Sequence, residues 1–504
     1  MSPREPTQTS VLIIGAGISG ICMGVRLGQA GIPCLVLEKA DRVGGTWREN
    51  TYPGCACDTQ SHHYCFSFEL NPDWSRVYAE QPQILTYLEH CSQKYGVAEH
   101  IRFQQEIIRA TLDATAGDWS VETASAETFS ARILVSAVGQ LNRPALPEIP
   151  GLRSFQGAMF HSAQWDHDFN LTNKDVAVIG NGASALQLIP RLAAAVRQLN
   201  VFQRSPNWLV PKSDRSFRTW EKWIFRRIPI IARLYRYWIY WNWERSWPEF
   251  LKDSAAAKRK KRRLSTHIAT EVASPDLAQA LVPDYPVGCK RVLLTDDYYQ
   301  TMQLENVTLI TDPIARIESD GLVTQNGQKH VVDCIVLATG FQATDFLAPM
   351  EIRGMNGMTL NETWRNGPEA YLGMTVPGFP NFFMLYGPNT NLGHNSIIFM
   401  IECQARYISR AIETIIERNL AFMDVKPETM SGFNDNLHEQ MKKTAWVGAC
   451  SSWYKTPDGK VVNNWSTTTY RYWWQTRRPN LKHYVLEPMA RRNISVAEAG
   501  ESIS

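Results

Sequence analysis

The sequence contains no run of about 20 uncharged apolar residues, the length a membrane-spanning helix needs. Its most apolar aromatic stretch, residues 220–247, is broken by Arg226, Arg227, Arg233, Arg236 and Arg245. That excludes a span but not an interfacial amphipathic helix; a helical layer covering an active site is the expected role. The N-terminus has no basic segment followed by a long apolar one, so no secretory signal is expected. The ten cysteines include no C-x-x-C pair, no C-x-x-x-x-C pair and only one C-x-C, Cys55 and Cys57. A zinc ribbon and the redox pair of a disulfide reductase are thereby excluded, no metal site is expected, and reduced thiols in a cytoplasmic protein are. Charge of one sign is also lacking. With 52 Lys and Arg against 49 Asp and Glu the net charge is +3, which points to no nucleic-acid partner. The basic run Lys258 to Arg263 is expected to be a solvated helix face.

What is present is a chain of 504 residues, 44% hydrophobic and 20% charged, long enough for about three domains. Tryptophan is plentiful, at 17 residues, enough to line apolar pockets or fill several cores. Residues 11–14 (VLII) predict a buried parallel strand, followed by a glycine-rich turn and a helix over 18–30. A second strand, Cys34 to Leu37, ends at Glu38. In Gly15-Ala-Gly17-Ile-Ser-Gly20 the first glycine permits the tight turn and the second lets backbone approach a pyrophosphate. The third allows close helix–sheet packing, and phosphates then sit on the helix N-terminus. Glu38, 23 positions after Gly15, is placed to bind a ribose diol.

The pattern restarts at Asp175. The strand 175–180 enters Gly180-Asn-Gly182-Ala183-Ser184-Ala185, and a strand is expected at 199–204. The same count of 23 from Gly180 reaches Gln203, with Arg204 next. The ribose-binding acid is absent, and a guanidinium stands where a 2′-phosphate would lie, so NADPH rather than NADH is inferred at this second site. Residues 212–285 turn aromatic and basic without a clear strand. Strands are expected again at 291–294, 307–310 and 331–340, and a helix from Ile397 to Arg410. Gly44-Gly45-Thr46-Trp47, then Tyr52-Pro53-Gly54 and Asp58, form a further glycine-bearing element. The pro-rich segment 143–151 is expected to be a linker, and the tail after Pro488 to fray.

Between the two glycine motifs, Phe155-Gln-Gly157-Ala-Met-Phe-His161-Ser-Ala-Gln-Trp165-Asp166 matches F-x-G-x-x-x-H-x-x-x-W-[P/D]. This is the fingerprint of Baeyer–Villiger monooxygenases, class B flavoprotein monooxygenases, and the chain resembles that family over nearly its whole length. Related flavin-containing and N-hydroxylating monooxygenases share the two glycine motifs but usually lack the terminal Trp and Asp. The resemblance implies an enzyme with FAD and NADP(H) as cofactors, and a small-molecule ketone and O₂ as substrates. NADPH reduces FAD, a C4a-peroxyflavin forms, and attack on a carbonyl gives an ester or lactone; sulfide oxidation is an expected side activity. The alternative is a heteroatom-oxygenating flavin monooxygenase.

The resemblance also assigns residues. Arg291 of Cys289-Lys290-Arg291 faces the flavin and stabilises the peroxide anion, and Asp58 holds it. Gly15, Gly17, Gly20, Glu38, Lys39, Gly45, Thr46, Trp47, Asp58, Tyr64, Ile107 and Ile397 are expected around FAD. Gly182, Ala183, Ser184, Gln187, Arg204, Ser205, Lys290 and Trp453 are expected around NADPH, and His161 as an interdomain hinge. The implied fold is α/β, with two Rossmann-like dinucleotide-binding domains and a helical insertion. The FAD domain is expected at 1–147 and 336–504, the NADP domain at 148–211 and 288–335, and the insertion at 212–287.

Overall fold

The structure, a computed structural model, describes residues 7–489. The frayed tail expected from the sequence lies outside the described residues from position 490 onward. The run Val11–Ile14 is apolar at every position because both of its faces are covered, as in a parallel sheet with helices on either side. It ends the strand Thr7–Ile14, which pairs in parallel with Cys34–Leu37 on one edge and Thr128–Ser136 on the other. The sheet runs, in spatial order, Glu351–Arg353, Ile107–Asp113, Asp118–Thr123, Thr128–Ser136, Thr7–Ile14, Cys34–Leu37, Ile101–Arg102. Its eighth strand, Phe382–Met384, pairs with Leu134, Val135 and Ser136 beyond the point where Asp118–Thr123 stops. The helix Ile18–Gln29 packs against the long C-terminal helix Ile397–Glu417, which continues past the Arg410 expected from the sequence.

A second sheet has five strands, all parallel, in the order Val307–Ile310, Gln198–Phe202, Asp175–Ile179, Cys334–Leu337, Ala158–His161. The structure is thus mixed α/β with two Rossmann-type sheets, the five-stranded one wholly parallel and the eight-stranded one parallel except at Asp118–Thr123, which runs antiparallel to both of its neighbours. In each, the strand entering a glycine turn lies between two parallel neighbours. The carboxyl ends of these strands, Ile14, Leu37 and Ala137 from the first sheet and Ile179, Phe202 and Ala338 from the second, border one cavity. This is the crevice in which open α/β sheets bind ligands.

Residues 212–287 contain the helices Thr219–Arg227, Pro229–Glu244, Ala255–Glu271 and Pro275–Leu281 and no strand. Among the described residues no helix is long and apolar enough to cross a membrane. Lys258, Arg259 and Lys261 to Arg263 are exposed, while Lys260 pairs with Glu249.

Three local expectations are corrected. The strand expected at 291–294 is Leu293–Thr295, paired with Leu209–Pro211, so Arg291 precedes it. The run expected at 331–340 is divided. Lys329–Val331 closes a separate antiparallel three-stranded sheet, and Cys334–Leu337 joins the five-stranded one. Asp333 makes the break: its N–H donates to the Asp175 carbonyl and its carboxylate accepts from the Asp175 N–H. The thiols are not all reduced, because Cys289 and Cys450, 161 positions apart, form a disulfide. Tertiary packing of two loops brings them together, and spacing along the chain gave no sign of it.

Candidate active site

The cavity between the two sheets has a volume of about 1190 Å³. Gly15 has a φ of +102°, and a Cβ there would lie 2.9 Å from the Ala137 carbonyl, so only glycine makes this turn. Gly20 does not line the cavity; a Cβ on it would fall 1.8 Å from the Gly15 carbonyl oxygen, which identifies it as the packing glycine of the motif. Gly45, with φ +53°, lies against Gly17, where a Cβ would come 3.0 Å from the Gly17 Cα. The two glycine turns therefore form a floor made of backbone alone. The helix after Gly17 has no side-chain cap and no acid in its first turn, leaving its N–H groups for an anion.

Glu38 is buried. Its Oε2 accepts the Ala16 N–H at 2.8 Å, and its Oε1 accepts from the Ala40 N–H at 3.0 Å and from Arg48 at 3.2 Å. A carboxylate accepts about four such bonds, so capacity remains toward the cavity that Glu38 lines. Lys39, Thr46 and Ile107 line the same cavity. The Trp47 indole N–H donates to the Tyr64 hydroxyl at 3.1 Å, and both rings face the cavity.

On the opposite wall Gly180 has φ +109°, with the Ala338 carbonyl 2.4 Å from where a Cβ would stand. Gly182 begins the helix Ala183–Ala193, again without a side-chain cap, and Gly182, Ala183 and Ser184 line the cavity. Gln187 lines it too, but its amide is occupied within the protein. It accepts from the Tyr52 hydroxyl and the Ala56 N–H and donates to the Ala56 carbonyl, joining the two halves. Arg204, Ser205 and Lys290 form a basic corner. The Lys290 ammonium donates to the Ser205 hydroxyl, and burial followed by the neighbouring Arg204 guanidinium lowers its pKa. Among the described residues neither cation forms an ion pair with a carboxylate, so both charges are left without a protein counter-ion.

Between the two walls stands Arg291. Its Nη2 donates to both carboxylate oxygens of Asp58, at 2.7 and 2.6 Å, and Asp58, ahead of the cost of burial, raises its pKa. Its Nε and Nη1 have no protein acceptor among the described residues, and a third of the side chain is open to the cavity. Ile397 and Trp453 border the same space.

Residues 8–351 match the family model described as flavin-binding monooxygenase-like. A Baeyer–Villiger monooxygenase of Pseudomonas aeruginosa is 40% identical, the alignment covering 100% of this chain and 96% of the relative. The chain belongs to the Baeyer–Villiger monooxygenases. Among solved structures, cyclohexanone monooxygenase from a Rhodococcus species bound to NADP+ is similar with a TM-score of 0.86 and 28% identity. The match covers 96% of this chain and 100% of that one. OTEMO in complex with FAD and NADP gives a TM-score of 0.86 at 27% identity, with the same coverage.

The Baeyer–Villiger fingerprint itself lies outside the cavity lining. His161 ends the strand beside Cys334–Leu337, its Nδ1 accepts the Ala163 N–H at 3.1 Å, and its ring meets Phe341 edge-on. Burial lowers its pKa, which favours the neutral ring. Phe341 does line the cavity, so the fingerprint supports the wall from behind. Trp165 packs edge-on against Phe160, and the Asp166 carboxylate accepts from the Asp168 N–H. Gly157 has no room for a side chain: a Cβ would come 2.5 Å from the Asp333 carbonyl and 2.6 Å from the Phe155 ring.

Three further cavity residues carry no motif and were missed by the sequence reading. Tyr386, whose pKa burial raises, donates to Asn391 at 2.7 Å, and Asn395 donates to Glu244 at 2.8 Å. A weak signal existed: the asparagine-rich stretch 387–395 adopts positive φ at Asn389 and Asn395, a conformation asparagine tolerates.

Proposed function

We propose that the enzyme converts ketones to esters or lactones with NADPH and O₂, using FAD held along the Gly15, Gly45 and Glu38 wall. The observation that carries this reading is Arg291, fixed through one nitrogen by Asp58 with its other donors free toward the cavity. The backbone floor fits a pyrophosphate, and the basic corner fits a 2′-phosphate. When bound, the flavin passes reducing equivalents from NADPH to O₂ and supplies the oxygen atom.

In this reading the eight-stranded sheet is the core of the FAD unit and the five-stranded sheet that of the NADP unit. Helix N–H groups after Gly17 and Gly182 bind the two pyrophosphates. Glu38 takes a ribose hydroxyl, Trp47 and Tyr64 flank the isoalloxazine end, and Ile107 marks the adenine end. Ile397 backs the flavin ring. Arg204, Ser205 and Lys290 hold the 2′-phosphate, and Gln187 positions the loop 52–56 against the NADP wall. Trp453 covers the nicotinamide end. Arg291 keeps its proton at any working pH, so its free donors stabilise negative charge on oxygen as it develops at the carbonyl. His161 lets the segment ending at Phe341 shift between cofactor positions.

The test is product analysis with ¹⁸O₂, offering the holoenzyme linear, cyclic and aryl ketones and a thioether, with Arg291→Ala in parallel. An ester or lactone bearing one ¹⁸O, lost in the variant, supports ketone insertion. Sulfoxide as the sole product, unchanged in the variant, assigns the chain to heteroatom oxygenation instead.

A further inference from the structure

The helix Pro229–Glu244 buries two charged side chains, Arg236 and Glu244, on its inner face and exposes a row of large apolar side chains on its outer one. Inside, Arg236 donates to the carbonyls of His63 at 3.2 Å and Cys65 at 2.7 Å, with Glu402 3.4 Å away. Glu244 accepts from Thr469 and from Asn395, a residue of the cavity wall. Outside, Ile230, Leu234, Tyr237, Trp238 and Trp241 are 47–60% exposed. Their spacing puts them in one stripe along the helix. An ordinary surface helix shows the reverse arrangement. The helix cannot roll to bury the stripe without pulling Arg236 and Glu244 from their partners.

The stripe continues onto neighbouring elements. Trp220 and Trp223, on the helix Thr219–Arg227, are also more than half exposed, and the Tyr470 ring lies 6.5 Å from Trp241. Exposed Arg226, Arg227, Arg233 and Arg245 are interleaved with it. From Arg218 to Arg245 the chain has seven Arg and Lys against two Glu. Of those two, Glu244 is buried and Glu221 is paired with Arg215. Among the described residues Arg227, Arg233 and Arg245 have no acidic partner.

We propose that this face docks on an anionic phospholipid bilayer, lying in its interfacial layer. Contiguous exposed apolar surface marks an interaction site. Trp and Tyr favour the headgroup boundary, and arginines beside them meet lipid phosphates. A second copy fits less well, because a two-fold contact would set the arginine rim against itself. This inference goes beyond the ketone reading and does not depend on it.

The test is co-sedimentation of the FAD-loaded enzyme with vesicles of equal parts phosphatidylglycerol and phosphatidylcholine, and with phosphatidylcholine alone. Expected is binding to the anionic vesicles about tenfold tighter than to the neutral ones, weakening as salt rises from about 0.05 M to about 0.5 M. Trp223→Ser/Leu234→Ser/Trp238→Ser abolishes it. Arg227→Glu/Arg233→Glu reduces it about tenfold. Both variants retain flavin absorbance and turnover of a water-soluble ketone without vesicles. Wild-type enzyme that stays in the supernatant with anionic vesicles overturns the proposal. So does a concentration-dependent dimer lost in the aromatic variant, seen without vesicle binding. Vesicle binding by an enzyme that oxygenates no ketone supports the docking and refutes only the ketone reading.

Discussion

Arg291 and Asp58 stand 233 positions apart, yet one guanidinium nitrogen donates to both carboxylate oxygens. The remaining donors of Arg291 are thereby left to the cavity while its orientation is fixed. Arg291→Ala is expected to lower kcat for ketone oxygenation by about 10²–10³-fold and to leave flavin binding intact. Asp58→Ala is expected to cost up to about 10²-fold through misplacement of the arginine. The double variant should then be no worse than Arg291→Ala alone, because the two act as a unit. Steady-state kinetics of the four proteins decide this; additive losses would show that Asp58 acts independently.

The basic corner predicts coenzyme preference. Arg204→Ala or Lys290→Ala removes a charge-assisted contact worth about 1.5–3 kcal/mol, so KM for NADPH should rise about ten- to hundredfold. KM for NADH should hardly change. Initial rates with both coenzymes separate this outcome from a general loss of fold, which would affect the two alike.

Glu244 predicts a pH dependence of stability. Burial alone raises its pKa, but His394 at 3.5 Å, the Thr469 hydroxyl and the Tyr470 N–H outweigh it, bringing it from 4.5 to about 2. A carboxylate with a depressed folded-state pKa contributes stability above the unfolded value and loses it as pH falls from about 4.5 toward 2. Glu244→Gln should lower stability above pH 4.5, with the gap narrowing as pH falls from there toward 2. Thermal melts across that range test it; a gap independent of pH would rule out the ionic contribution.

Gly157→Ala forces a methyl against the Asp333 carbonyl, which is backbone and cannot swing aside. Overpacking of this kind costs about 1–3 kcal/mol. A lower Tm is expected, and trimming the neighbouring ring with Phe155→Leu should not restore it. Full rescue by that second change would place the strain on the ring instead.

Much of the fold was legible because its signals are local. Gly15 and Gly180 need positive φ, and Val11–Ile14 and Val176–Ile179 are apolar because both faces are covered. Glu38 and Arg204 could be found by counting from those glycines. The residues from 314 to 337 read less well, since Asp333 breaks one apolar run into strands of two sheets through a contact with distant Asp175. In the site, the basic corner followed from residue type and position. Arg291 and Asp58 rested on family resemblance, and Tyr386 and Asn395 lay in irregular backbone with no period to mark them.

By itself the sequence determined two strand–glycine turn–helix units and their different ribose contacts, because turn geometry and strand burial are set within a few residues. Tertiary structure alone decided that Asp58 reaches Arg291 and that Cys289 meets Cys450. It also decided which face of Pro229–Glu244 turns inward. Hydrophobic pattern would have buried the tryptophan stripe. The ion pairs and hydrogen bonds that hold Arg236 and Glu244 come from residues more than 100 positions away, and they impose the opposite orientation.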